Sequence, residues 1–139
     1  MIIDDQALPK KKIELSGVNV AYTDQGVGEP IIFVHGIPTS SYLWRNIIRA
    51  IDSDFRCIAP DLMGLGDTDT PLDHRYDAEA QAGKILELAD YLSLEQFTLV
   101  CHDQGGAVAQ VLAVNNPDRI KKFIITNCVC YGNWPVPIV

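Results

Sequence analysis

Short continuous apolar runs alternate along this chain with longer stretches whose apolar positions recur at helical spacing. Residues 13–16 and 18–22 read as two short strands joined at Gly17, an antiparallel pair. After a turn at Gly26-Val27-Gly28-Glu29-Pro30, Ile31 to Val34 is a continuous apolar run, the mark of a strand buried on both faces. Ser40 or Ser41 can cap a helix whose Leu43, Trp44, Ile47, Ile48 and Ile51 fall on one side. Phe55 to Ala59 returns as a strand ending at Pro60-Asp61, and Gly64 to Arg75 reads as loop. Asp77 caps a helix striped by Ala82, Ile85, Leu88 and Leu92. Phe97 to Cys101 is the following strand, and Gly105 to Val114 a helix stopped by Asn115-Asn116-Pro117. Ile120 to Thr126 is the last strand, after which Trp134-Pro135-Val136-Pro137 leaves in an extended path.

Strands alternating with helices predict an α/β fold, a mostly parallel sheet with helices on both faces. Ligands of such sheets bind beyond the carboxyl ends of the strands. His35, Asp61, Asp103 and Asn127 all fall there.

Composition narrows the partners. At 139 residues and 47% apolar content the chain supports a single domain with a real core. The net charge of −7 argues against a nucleic-acid partner. Lys10-Lys11-Lys12, the one basic run, reads as a solvated stretch before the first strand. No window has the length and apolarity of a membrane span, and Met1-Ile2-Ile3-Asp4-Asp5 lacks the basic start of a signal peptide. Cys57, Cys101, Cys128 and Cys130 stand at no metal-ligand spacing. They read as buried thiols in a reducing compartment, so the expectation is a cytoplasmic protein with no metal and no cofactor. Cys128 and Cys130, two apart on a strand, would share one face.

Asp103 follows a strand and precedes a helix opened by Gly105 and Gly106. A sharp strand-to-helix turn strains the backbone of the residue at its tip and demands small neighbours, and a side chain held there is exposed to a ligand. Aspartate also caps helices well, which is the competing account of that position. His35-Gly36-Ile37-Pro38 follows the earlier central strand, where a turn aims a backbone N–H toward the same place. The N–H groups of Ile37 and Gln104 would form an anion-binding pair beside Asp103, with His35 and Gly36 supporting the loop. Asp61-Leu62-Met63-Gly64-Leu65-Gly66-Asp67 holds a Gly-x-Gly that opens no helix, so it reads as a shaped loop at the pocket edge rather than a nucleotide site. His74 reads as solvated, and His102, adjacent to Asp103, as pointing elsewhere.

The run His35-Gly-Ile-Pro-Thr-Ser-Ser-Tyr-Leu-Trp-Arg-Asn-Ile-Ile48, with Asp61 to Asp69 and His102-Asp103-Gln104-Gly105, strongly resembles the haloalkane dehalogenases of the α/β-hydrolase superfamily. The likeness extends from about Leu15 to Trp134. Epoxide hydrolases share the His-Gly-x-Pro and His-Asp-x-Gly-Gly pieces. By this resemblance Asp103 displaces halide from an alkyl carbon of a small apolar electrophile and becomes an alkyl ester, which a histidine-activated water hydrolyses. Two departures stand out. The family's halide-holding tryptophan after the nucleophile is here Gln104, and the asparagine that many members place after His-Gly is Ile37. Some members carry the triad acid after the sixth strand, where this chain has Asn127.

The resemblance further implies that residues 1–139 are the N-terminal part of one α/β-hydrolase domain, with 132–139 starting an exit toward a cap domain. That cap, two further strands and the catalytic histidine would follow Val139. On this expectation the chain alone would not turn over. A different reading is a catalytically inert folding unit that self-associates through the exposed apolar edge of strand 121–126.

Overall fold

A computed structural model describes residues 5–130. The expected extended path at 134–137 and the exit at 132–139 lie outside the described residues. Six strands, β1 (Lys11–Leu15), β2 (Val18–Gln25), β3 (Glu29–Val34), β4 (Phe55–Pro60), β5 (Phe97–Asp103) and β6 (Ile120–Cys128), form one sheet. Its order is β1-β2-β4-β3-β5-β6. β1 pairs with β2 and β2 with β4 antiparallel, while β4, β3, β5 and β6 run parallel.

Alternation along the central strands divides the core in two. Ile32, Val34, Ile58, Leu99 and Cys101 face one side and pack on helices α2 (Ala78–Tyr91) and α3 (Gly105–Asn115) through Ile85, Leu88, Val108 and Leu112. Ile31, Phe33, Cys57, Ala59 and Val100 face the other and pack on Trp44 and on Ile48 of α1 (Arg45–Ile51). β3 and the middle of β5 are thus covered on both faces, which is why they read as unbroken apolar runs. Truncating a fully buried side chain such as Leu99 costs roughly 2–5 kcal/mol.

Three local expectations change. The helix after Ser40 is split. Ser40 accepts from the Tyr42 amide and caps a 3-10 turn over Ser41–Trp44, and α1 begins only at Arg45. The offset turns Ile47 outward, 48% exposed, while Trp44 and Ile48 are buried. The thiols are not uniformly buried. Cys57 and Cys101 are, but Cys128 is half-buried at the end of the edge strand and Cys130, past that end, is exposed. Cys128 and Cys130 therefore do not share a strand face, because the strand stops at Cys128.

Lys10 is the third change. Its ammonium lies 2.6 Å from the carboxylate of Asp61, which is 2% exposed, and 2.6 Å from that of Asp67. Lys11 and Lys12 are exposed, as a solvated run requires, and meet Asp24 and Asp69. Among the described residues no helix is long and apolar enough to cross a membrane.

Candidate active site

The carboxyl ends of β3, β4 and β5 bring three loops together. Asp103 closes β5 with φ of +53°, a left-handed backbone that costs a non-glycine residue on the order of 1–3 kcal/mol. Tertiary packing holds it there. A side chain on Gly36 would strike the Asp103 carboxylate, and one on Gly105 would strike the backbone oxygens of Val34 and His35. A Cβ on Gly106 would strike Cys128. The three glycines let β3, β5, β6 and α3 converge at one point, with Asp103 at its tip.

The Ile37 N–H donates to Asp103 Oδ1 at 3.0 Å. No hydrogen bond among the described residues reaches Asp103 Oδ2. Among the described residues the carboxylate is therefore held through one oxygen. Gln104 is the N-cap of α3, where an amide has no carbonyl partner within the helix and lies at its positive end. Ile37 thus contacts the Asp103 carboxylate through its amide, and Gln104 follows Asp103 at the start of α3. The Ile37 side chain itself is half-exposed.

His35 supports this loop from beneath. It is fully buried; Nδ1 lies 2.9 Å from the Gly36 carbonyl, and Nε2 accepts from the Leu62 amide at 2.9 Å. An acceptor at Nε2 requires the proton on Nδ1, so the ring is neutral. Burial pushes its pKa below the ordinary histidine value, against the opposing pull of the Gly36 carbonyl and Asp61. His35 ties the β3 loop to the β4 loop. Asp61 adds a second tie, accepting from the Ser41 amide at 2.7 Å and the Asp67 amide at 2.8 Å. Burial alone would raise the Asp61 pKa, but Lys10 and these amides hold it below the usual carboxylate range. A side chain on Gly66 would occupy the Asp61 carboxylate, which is what the Gly-x-Gly loop provides.

The other two histidines are engaged or remote. His102 turns from Asp103, as expected; its Nδ1 lies 3.1 Å from the Thr126 carbonyl and its ring meets Trp44 edge-on at 6.5 Å. His74 sits half-buried in the loop before α2, far along the chain from these contacts. Asn127 is exposed, with φ of +42°, where the β5–β6 register shifts. No hydrogen bond among the described residues joins its side chain to Asp103. A cavity of about 410 Å³ lies beside Lys10, Thr23, Ser41 and Asp67 and is not lined by Asp103. The strained turn and the Ile37 amide aimed at a carboxylate are at Asp103, not at this cavity.

Sequence reasoning missed Lys10 and Thr68. Thr68 Oγ1 accepts from the Ala21 amide and donates to the Asp61 carbonyl, pinning the loop to β2. Neither long-range contact carries a local signal, since Lys10 and Asp61 are 51 residues apart and Thr68 and Ala21 are 47.

A sheet of this order, with a left-handed aspartate at the β5–α3 turn, defines a hydrolase-type α/β fold. Residues 29–135 match the family model described as the alpha/beta hydrolase fold, and the chain belongs to that family. It is 37% identical over 108 residues to haloalkane dehalogenase 2 of Mycobacterium bovis, covering 78% of this chain and 38% of that protein. It is 33% identical over 129 residues to a soluble epoxide hydrolase of Corynebacterium sp., covering 89% and 45%. The crystal structure of Cfl2 from Burkholderia cenocepacia superposes with a TM-score of 0.86 at 30% identity, covering 94% of this chain and 46% of that one. The chain spans less than half the length of these relatives.

Proposed function

We propose that Asp103 is the nucleophile of a hydrolase acting on small apolar electrophiles, haloalkanes first and epoxides second. The observation that carries this reading is a carboxylate at a strained turn whose Oδ1 is fixed by the Ile37 amide, with no hydrogen bond to Oδ2 among the described residues. Oδ2 attacks the electrophilic carbon, the carbon–halogen bond breaks, and an alkyl ester of Asp103 forms. The amides of Ile37 and Gln104 stabilise the negative charge that develops when water later attacks the ester carbonyl. A carboxylate attacking an ester substrate instead would give an anhydride, which disfavours acyl hydrolysis.

The likeness to both a haloalkane dehalogenase and an epoxide hydrolase supports this substrate class. Gln104 favours the epoxide alternative, since the indole donor that dehalogenases offer a halide is not at that position. None of the three histidines hydrogen-bonds the Asp103 carboxylate among the described residues, so we propose that this chain by itself forms the ester and does not release it. The inert, self-associating alternative draws on Ile124 and Ile125, 47% and 55% exposed on the edge strand β6.

Native mass spectrometry after incubation with small bromoalkanes and epoxides tests the reading. An adduct mapped to Asp103, absent in Asp103→Asn, is expected, and its mass identifies the preferred electrophile. A chain that stays unmodified by every electrophile refutes it.

A further inference from the structure

Two thiols near Asp103 are not used by the proposed chemistry. Cys101 is fully buried in β5, two residues before Asp103, and Cys128 ends β6 in register with Asp103 itself. Their sulfurs are 3.4 Å apart. A disulfide needs about 2.0 Å between sulfurs, so closing one draws the two side chains together by rotation or by a small movement of the end of β6. That end has slack. The ladder loses register between His102 and Asp103, and Asn127 bulges with a left-handed backbone just before Cys128.

We propose that Cys101 and Cys128 form an oxidation site that closes a disulfide across β5 and β6 on exposure to a hydroperoxide. Cys128, the less buried of the two, is the point of entry. Its thiolate attacks a peroxide oxygen, the O–O bond breaks, and an alcohol or water leaves, giving a sulfenic acid on Cys128. The Cys101 sulfur attacks that sulfur, the S–O bond breaks, and the departing hydroxide takes the Cys101 proton to leave as water. Two thiols lose two electrons and two protons, and the peroxide is reduced to alcohol and water.

The surroundings favour this pair. Burial, helped by the neighbouring Cys128 sulfur, pushes the Cys101 thiol up to about 12, so it waits as a thiol until a sulfenic acid forms beside it. Cys57 lies on the opposite face of the sheet, and exposed Cys130 has its sulfur 3.6 Å from Gln110 Oε1. The bridge acts on the turn at Asp103 directly. Cys128 packs where Gly106 lacks a side chain, and the next residue, Val129, donates to the Asp103 carbonyl at 3.2 Å.

The test is graded hydrogen peroxide, a denaturing quench with iodoacetamide, and intact and peptide mass spectrometry. The chain is expected to lose two hydrogens, its alkylatable thiols to fall from four to two, and a linked Cys101–Cys128 peptide to appear and be reversed by dithiothreitol. Cys130→Ser and Asp103→Asn should oxidise identically, which separates this site from the hydrolase reading. Cys128→Ala should abolish the bridge; should that variant misfold, the map of Cys130→Ser decides alone. A Cys128–Cys130 link, a dimer joined through Cys130, or a sulfinic acid on Cys128 with Cys101 still alkylatable overturns the proposal.

Discussion

The carboxylate of Asp103 and the amide of Ile37, 66 residues apart in the chain, meet at 3.0 Å. The contact exists because Gly36 leaves room for it, as any Cβ there would overlap the Asp103 side chain. Gly36→Ala should therefore push the carboxylate off its seat while the sheet stays folded. On the order of 10²-fold slower ester formation is expected, the usual cost of misplacing a reacting group by about an ångström. Adduct kinetics with a bromoalkane, alongside an unchanged circular dichroism spectrum, check it; an unaltered rate would show the seat to be irrelevant.

Asp61 should make the protein sensitive to acid. Its folded pKa is depressed, so the stability it contributes is present above the unfolded value of about 3.9 and is lost as pH falls through the folded value. Asp61→Asn should cost roughly 3 kcal/mol at pH 7, because Lys10 and two amides lose a buried charge. The gap from the wild-type chain should narrow at pH 3. Urea unfolding at both pH values measures it, and a gap independent of pH rules out the ionised pair.

His35 gives a second dependence in the same direction. Burial lowers its folded pKa, so below about 6.5 the unfolded chain binds a proton that the folded chain refuses. Stability should rise with pH from the folded value up to that point, by at most about 1.4 kcal/mol per unit. His35→Gln removes the titration, so its stability profile between pH 5 and 7 should be flatter than the wild type. Parallel profiles would mean that His35 titrates alike in the folded and unfolded chain, and would overturn this reading.

Two glycines should respond in opposite ways to one added methyl. Gly83, inside α2, meets nothing within 4 Å, so Gly83→Ala should stabilise by roughly 0.5–1 kcal/mol through helix propensity and a less flexible unfolded chain. Gly105→Ala drives a Cβ into backbone oxygens that cannot rotate away, and should cost about 3 kcal/mol or more. Thermal melts of both variants decide the matter. Equal shifts would mean that α3 can slide off β3.

The edge strand makes a prediction about association. Ile124→Lys with Ile125→Lys should lower self-association at a given concentration, since both side chains are half-exposed on β6, one on each face. Light scattering over a dilution series measures it. A wild-type chain that is monomeric at every concentration removes the self-association reading.

Much of this was legible in the sequence because it is local. Apolar runs and helical stripes mark the strands and helices, and the glycines flanking Asp103 mark a turn that needs small neighbours. Asp77 shows itself as a cap in the same way, and its side chain does accept from the Ala80 amide. What escaped was long-range. Lys10 sits in a basic run whose neighbours are solvated, and only the path of the chain brings it to Asp61. Cys101 and Cys128 lie on strands whose register is broken by a bulge, so their contact follows from a departure that periodicity does not record. The outward Ile47 likewise reflects a tighter turn before α1, which rotates every later position.

The place of β3 in the sheet also sets an order of events. Its neighbours are β4, which follows closely in the chain, and β5, which follows only after α2 has been made. In a nascent chain the most apolar strand is therefore finished on one side and waits, bare on the other, for a partner still to be synthesised. Gly36 and Ile37 are synthesised with β3, well before Asp103, so the residues of the seat precede their occupant in the chain. Asp103 arrives late, and slower synthesis of the α2 segment should prolong the exposure of β3.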